Sequence, residues 1–135
     1  MRKQGFGRII NISSTSGMYG TPQLATYCMA KWGVRGLTKT LAQELKGTGI
    51  VVNDVCPTKV KTPMCETESY VKFINDLTGK DFKNWQEMYE GVPFLEVEDI
   101  SDMSTGWAPA VLPVSSVVVI WVWTSARCSS KGEYQ

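Results

Sequence analysis

The sequence predicts an α/β chain built on a parallel sheet, from three features met in order. Residues 8–13 read RIINIS, a run rich in β-branched residues that closes in serines. A long helical pattern follows, and residues 50–56, IVVNDVC, then end at Pro57. Continuous apolar runs bounded by turn residues are how strands buried on both faces read. Strand, long helix, strand is a βαβ unit, whose strands are parallel and whose crossover is right-handed.

Each element has a local cause. After the first strand, STSGMYGTPQ supplies Gly17, Gly20 and Pro22 and predicts a loop. A helix is expected from about Gln23 to Lys46, with an apolar stripe of Ala30, Val34, Leu37, Leu41 and Leu45. Arg35, Lys39, Gln43 and Lys46 lie off that stripe and are expected in solvent, and Gly47 and Gly49 supply the stop. Beyond Pro57, TKVKTPM reads as an extended loop. CETESYVKFINDL at 65–77 and DFKNWQEMYEG at 81–91 predict short helices with aromatic faces. VEDIS at 97–101 reads as a helix start, with acids at the favourable end of the dipole. Gly106, Pro109 and Pro113 break any longer helix, VLPVSSVVVIWVW at 111–123 reads as strand-like or aggregation-prone, and TSARCSSKGEYQ reads as a polar, disordered tail.

Composition removes several function classes. A chain of 135 residues suits one domain, and a net charge of +1 gives no electrostatic reason to expect nucleic acid or an anionic membrane as partner. The absence of histidine removes Ser-His-Asp triads, Cys-His dyads and histidine-based metal sites. Cys28, Cys56, Cys65 and Cys128 form no CxxC pair and fit no zinc spacing, so no metal site is expected. They read as reduced thiols of a cytoplasmic protein. MRKQGFGRII lacks the apolar core of a signal peptide, and the apolar run at 111–123 is shorter than the roughly 20 residues of a membrane helix.

Tyr27 and Lys31 stand four apart on the expected helix, in YCMAK. On a helix that spacing puts them about 40° apart on one face, beside the apolar stripe. Burying a phenol and an ammonium there costs free energy unless each has a partner. A cation held close to a phenol favours the phenolate, and a phenol so tuned can donate and accept a proton. Ser14 lies just past the carboxyl end of the first strand, where parallel sheets bind ligands, so its hydroxyl could hold a carbonyl or alkoxide oxygen. Taken alone, the pair is weak evidence, because many helices contain one by chance and a packing tyrosine beside a snorkelling lysine is the commoner reading.

The block from Gly7 to Met64 resembles the short-chain dehydrogenase/reductase family. GRIINISSTSG, YCMAKWGVRGLTKTLAQEL and GIVVNDVCPTKVKTPM stand in that family's order, and Ser14 precedes Tyr27 by the family's serine-to-YxxxK spacing. The resemblance implies a partial Rossmann-like, doubly wound parallel sheet, an NAD or NADP cofactor and a small alcohol or ketone substrate. No nucleic-acid or membrane partner is implied. Tyr27 would be the general acid and base, Lys31 would lower its pKa and hold the nicotinamide ribose, and Ser14 would polarise the substrate oxygen. Pro57, Thr58, Val60 and Thr62 would line the nicotinamide, with the Val60 backbone meeting the carboxamide. The helix from Tyr27 to Leu45 would serve as a homo-oligomer surface. Thr58 stands where the family usually has glycine. That feature and the helical insert resemble the carveol-dehydrogenase-like, mycofactocin-coupled subgroup.

The sequence holds no TGxxxGxG turn, no charged residue placed to select NAD or NADP, and no tetrad asparagine. Residues 1–103 are therefore expected to form the C-terminal half of the family fold, lacking the dinucleotide-binding half. Residues 104–135 read as a divergent tail, disordered or out of frame. Two functions follow: an oxidoreductase incomplete as this chain, or a non-catalytic remnant acting as an interaction module.

Overall fold

The computed structural model describes residues 1–106 and 119–121. Strand β1 (Gly7–Ile12) and strand β2 (Ile50–Cys56) pair in parallel, from Gly7 opposite Ile50 to Ile12 opposite Val55. Helix α1 (Ala25–Glu44) joins them. The short strand β3 (Val119–Trp121) pairs in parallel with the far edge of β2, beside Asp54, Val55 and Cys56, giving the order β1-β2-β3. This strand falls within the strand-like stretch read at 111–123. The rest of that stretch and the polar tail lie outside the described residues.

Side chains alternate across a strand, so the sheet has two distinct faces. On one, Ile50 and Val52 pack with Ile9, with Leu41 and Ala42 of α1, and with Leu45, which caps that helix. On the other, Val55 and Ile10 pack with Val60, Leu95 and Ile100. Ile100 belongs to helix α4 (Val97–Gly106), which ends at the glycine read as a breaker. Helices on both faces are the doubly wound arrangement expected from the sequence.

Helix α1 is rotated relative to the expected stripe. Leu41 and Leu45 turn inward as read, but Leu37 is 54% exposed and Ala30 is also exposed. Thr38 takes the central buried position, and Arg35, expected in solvent, turns toward the sheet. The reason is hydrogen bonding. Asn11 Nδ2 donates to Thr38 Oγ1 at 2.8 Å, and Thr38 Oγ1 donates to the Val34 carbonyl at 2.9 Å. A polar side chain is buried cheaply when its partners are in place.

Beyond β2, helices α2 (Glu68–Thr78) and α3 (Trp85–Gly91) enclose a second core of Val71, Ile74, Met88 and Val92. Their ends are capped by sequence. Thr67 accepts from the Tyr70 amide, Asn84 accepts from the Glu87 amide, and Gly79 closes α2 with φ of 68°. Aromatic rings from Tyr70, Phe73, Phe82, Trp85, Tyr89 and Phe94 cover that core.

Two substitutions test these assignments by chemical denaturation. Met88→Ala, at a position with no exposed surface, is expected to cost about 2–5 kcal/mol. Gly49 has φ of +73° and an added Cβ there would sit 2.0 Å from the Gly5 carbonyl oxygen. Gly49→Ala is therefore expected to cost at least about 1 kcal/mol from backbone strain, with the clash in addition.

Candidate active site

Two loops leave the carboxyl ends of β1 and β2 side by side. The Ser13 amide donates to the Val55 carbonyl at 2.8 Å, and the Thr15 amide to the Pro57 carbonyl at 3.0 Å. Ser14 is extended and buried, and it caps a short 3-10 turn, Thr15–Gly17, by accepting from the Ser16 amide at 3.1 Å. Gly17 is required where that turn meets α1, because a Cβ would fall 2.8 Å from the Lys31 carbonyl oxygen. Ser13 Oγ donates to the same carbonyl at 2.9 Å. The serine-bearing loop is thus fastened to the helix that carries Tyr27 and Lys31.

Tyr27 and Lys31 occupy the first two turns of α1. Lys31 Nζ donates to the Ile12 carbonyl at the end of β1, at 3.0 Å, and lies 5.6 Å from the Tyr27 ring centroid. The ammonium therefore sits between the strand end and the phenol ring. Tyr27 is 41% exposed, and its hydroxyl makes no hydrogen bond among the described residues. Ser14 and Tyr27 are brought to one end of the sheet but are not joined by a direct hydrogen bond.

The segment after β2 forms the other wall. Pro57 is buried, and Thr58 Oγ1 is buried with no hydrogen-bond partner among the described residues. Val60 forms a parallel bridge with Leu95 through the Lys61 amide and the Lys59 carbonyl. That bridge does not use Val60's own amide, while Cys65 Sγ donates to the Val60 carbonyl at 3.3 Å. Thr62 Oγ1 donates to Cys65 Sγ at 3.7 Å, and its carbonyl accepts from the Tyr89 hydroxyl at 3.4 Å.

Residues that the sequence reading passed over also reach this end of the sheet. Asp54 is fully buried in β2 and pairs with Arg35 at 3.1 Å. Cys56 Sγ donates to the same carboxylate oxygen at 3.2 Å. Burial, and then this hydrogen bond, push the Cys56 thiol from 9.0 up to about 11. Burial also pushes the Tyr70 phenol well up, with Cys65, Tyr89 and Tyr27 as neighbouring acidic groups. Burial lowers the Lys59 ammonium. Asp54 carried a visible signal, a carboxylate inside an otherwise apolar strand. Tyr70 carried none, because its place depends on how α2 folds back.

A family model described as short chain dehydrogenase matches residues 1–70, just over half of the 135-residue chain. The chain belongs to the short-chain dehydrogenase family. A 3-oxoacyl-[acyl-carrier-protein] reductase from Synechocystis sp. (strain ATCC 27184 / PCC 6803 / Kazusa) is 38% identical over 106 residues, 78% of this chain and 43% of that protein. A D-beta-hydroxybutyrate dehydrogenase from Rhizobium meliloti (strain 1021) is 47% identical over 68 residues, 50% of this chain and 26% of that protein. Among solved structures, an actinorhodin polyketide ketoreductase variant with NADPH is 31% identical with a TM-score of 0.68. That match covers 87% of this chain and 45% of that one. The chain spans less than half the length of each of these relatives. Among the described residues, no helix is long and apolar enough to cross a membrane, and no group of three or more His, Cys, Asp or Glu could hold a metal.

The raised Cys56 thiol makes an alkaline prediction. The folded state holds this proton more tightly than the unfolded chain, so the contribution is full below pH 9 and fades as pH rises toward about 11. Its size is about 2–3 kcal/mol. Across that window, wild type is expected to lose more stability than Cys56→Ala by about that amount, as read from denaturation midpoints. Parallel pH profiles would contradict the assignment.

Proposed function

We propose that this chain supplies the substrate-facing half of an NAD(P)-dependent oxidoreductase, which moves hydride between a nicotinamide and a carbonyl or secondary alcohol carbon. The observation that carries this reading is Lys31, whose ammonium is anchored on the Ile12 carbonyl and lies over the Tyr27 ring. The relatives, which include ketoacyl reductases and a hydroxybutyrate dehydrogenase, point the same way.

The residues present fit a nicotinamide. The buried, unpartnered Thr58 hydroxyl and the Val60 amide left out of its bridge offer polar groups in the segment expected to line the carboxamide. Pro57 fixes the turn, Thr62 adds a hydroxyl, and Lys31 would hold the ribose. When bound, the nicotinamide supplies or accepts the hydride.

The chain's own groups account for the proton. Tyr27 gives its hydroxyl proton to the substrate oxygen in reduction and takes it back in alcohol oxidation. Lys31 keeps a positive charge beside the phenolate that forms, which stabilises it. An ammonium has three donors, and one is used on Ile12, so two remain for ribose hydroxyls. Ser14 Oγ accepts from the Ser16 amide, which leaves its own O–H free to donate to the substrate oxygen. That donor is fixed before substrate arrives and costs no reorganisation at the moment of reaction.

Thr58 and the α2–α3 insert support a carveol-dehydrogenase-like substrate, a small alicyclic alcohol or ketone. Met29, Trp32 and Leu37 stand exposed on the outer side of α1 and support a homo-oligomer through that helix. The same exposed face is what a non-catalytic interaction module would use. Cys28, Cys56 and Cys65 are free thiols, in keeping with a cytoplasmic protein.

The test joins residues 1–135 in frame to the glycine-rich half of the Synechocystis reductase and measures NADPH-dependent ketone reduction. Tyr27→Phe is expected to lower kcat by about 10²–10⁴-fold with cofactor affinity nearly unchanged. Persistence of most of the activity would remove Tyr27 from proton transfer and the reading with it.

A further inference from the structure

The interface between α1 and the sheet changes character along its length. At the amino end of the strands it is apolar, through Ile9, Ile50, Val52, Leu41 and Leu45. At the carboxyl end it holds a buried ion pair. Arg35 Nε donates to Asp54 Oδ2 at 3.1 Å, with the two side chains 14% and 0% exposed. Asp54 Oδ1 has no partner among the described residues.

A buried pair of this kind is a poor source of stability. Removing two charges from water costs several kcal/mol per ion, and apolar residues of similar volume are often as good or better. What the pair does provide is a fixed geometry, because a guanidinium presents its donors in a rigid planar fork. The other end of Arg35 shows where that geometry is applied. Its Nη1 donates to the Gly17 carbonyl at 3.3 Å, in the turn that Ser14 caps. Arg35 also lies one helical turn after Lys31, whose own carbonyl accepts from Ser13 Oγ at 2.9 Å. One side chain thus ties together β2, the serine turn and the helix of Tyr27 and Lys31.

We propose that Arg35 and Asp54 are a positioning pair that fixes the Ser14 turn against the helix carrying Tyr27 and Lys31. Asp54 anchors the guanidinium in the sheet, and the guanidinium holds the turn by its Gly17 carbonyl. Neither residue touches the reacting atoms. The catalytic consequence rests on the function proposed above; the mechanical part does not.

Two readouts separate them. In the full 135-residue chain, Arg35→Met/Asp54→Leu replaces the pair with apolar volume. Amide exchange of Gly17 and Met18, whose protons are held by Ser14 and Thr15, is expected to quicken about tenfold or more, while β2 amides at 51–53 keep their protection. Unchanged protection at Gly17 and Met18 would overturn the proposal. If the double variant does not fold, Arg35→Lys, which keeps a cation for Asp54 but loses the planar fork that reaches the Gly17 carbonyl, carries the same comparison. In the joined enzyme, the same variants are expected to lower kcat about tenfold or more with cofactor affinity and melting temperature held. Faster exchange with kcat intact would leave the pair a structural contact and overturn its positioning role. A joined wild-type enzyme with no activity would overturn the proposed function, while amide exchange would still decide whether the pair holds the turn.

Discussion

Parallel pairing of β1 with β2 is the constraint on which everything else rests. Two strands running the same way cannot be joined by a tight turn, so the chain must return along the whole sheet. Helix α1 is that return. Its first turns therefore lie beside the carboxyl end of β1, where the serine loop also emerges. The crossover thus brings Tyr27 and Lys31 to the end of the sheet from which the Ser14 turn also emerges. The register from Gly7 opposite Ile50 to Ile12 opposite Val55 then brings the Ile12 carbonyl within 3.0 Å of Lys31 Nζ.

The same interface shows how a small sheet carries charge inside. Its apolar end provides the burial that holds α1 in place, with Val52 at 1% exposed and Leu45 at 6%. Its polar end spends part of that stability on Asn11 with Thr38 and on Asp54 with Arg35. Groups so placed lower no free energy by being buried, yet each one fixes a distance. The polar end is also the end where the candidate site lies. Stability and geometry are thus supplied by opposite ends of one helix.

Much of the framework was legible in the sequence. The second strand runs Ile50–Cys56, as read, because β-branched residues between Gly49 and Pro57 allow little else. The helix stop is equally local, with Gly47 and Gly49 at φ of 80° and 73°. The rotation of α1 was not legible. Counting apolar positions favoured Ala30 and Leu37, whereas Thr38 and Arg35 are the residues turned inward. A side chain's hydropathy says nothing of whether Asn11 or Asp54 waits for it on another strand. The site divides in the same way. YCMAK and Ser14 were legible as a candidate site only through the family resemblance, and Tyr70, Cys65 and Arg35 come near that end of the sheet only through tertiary packing.

Ser14 and Tyr27 are proposed to address one oxygen atom, and a ligand-bound structure of the joined enzyme with NADPH and a ketone tests this most directly. The ketone oxygen should lie within about 2.6–3.2 Å of both hydroxyl oxygens. An oxygen held by Ser14 alone, with the Tyr27 phenol turned to solvent, would contradict it.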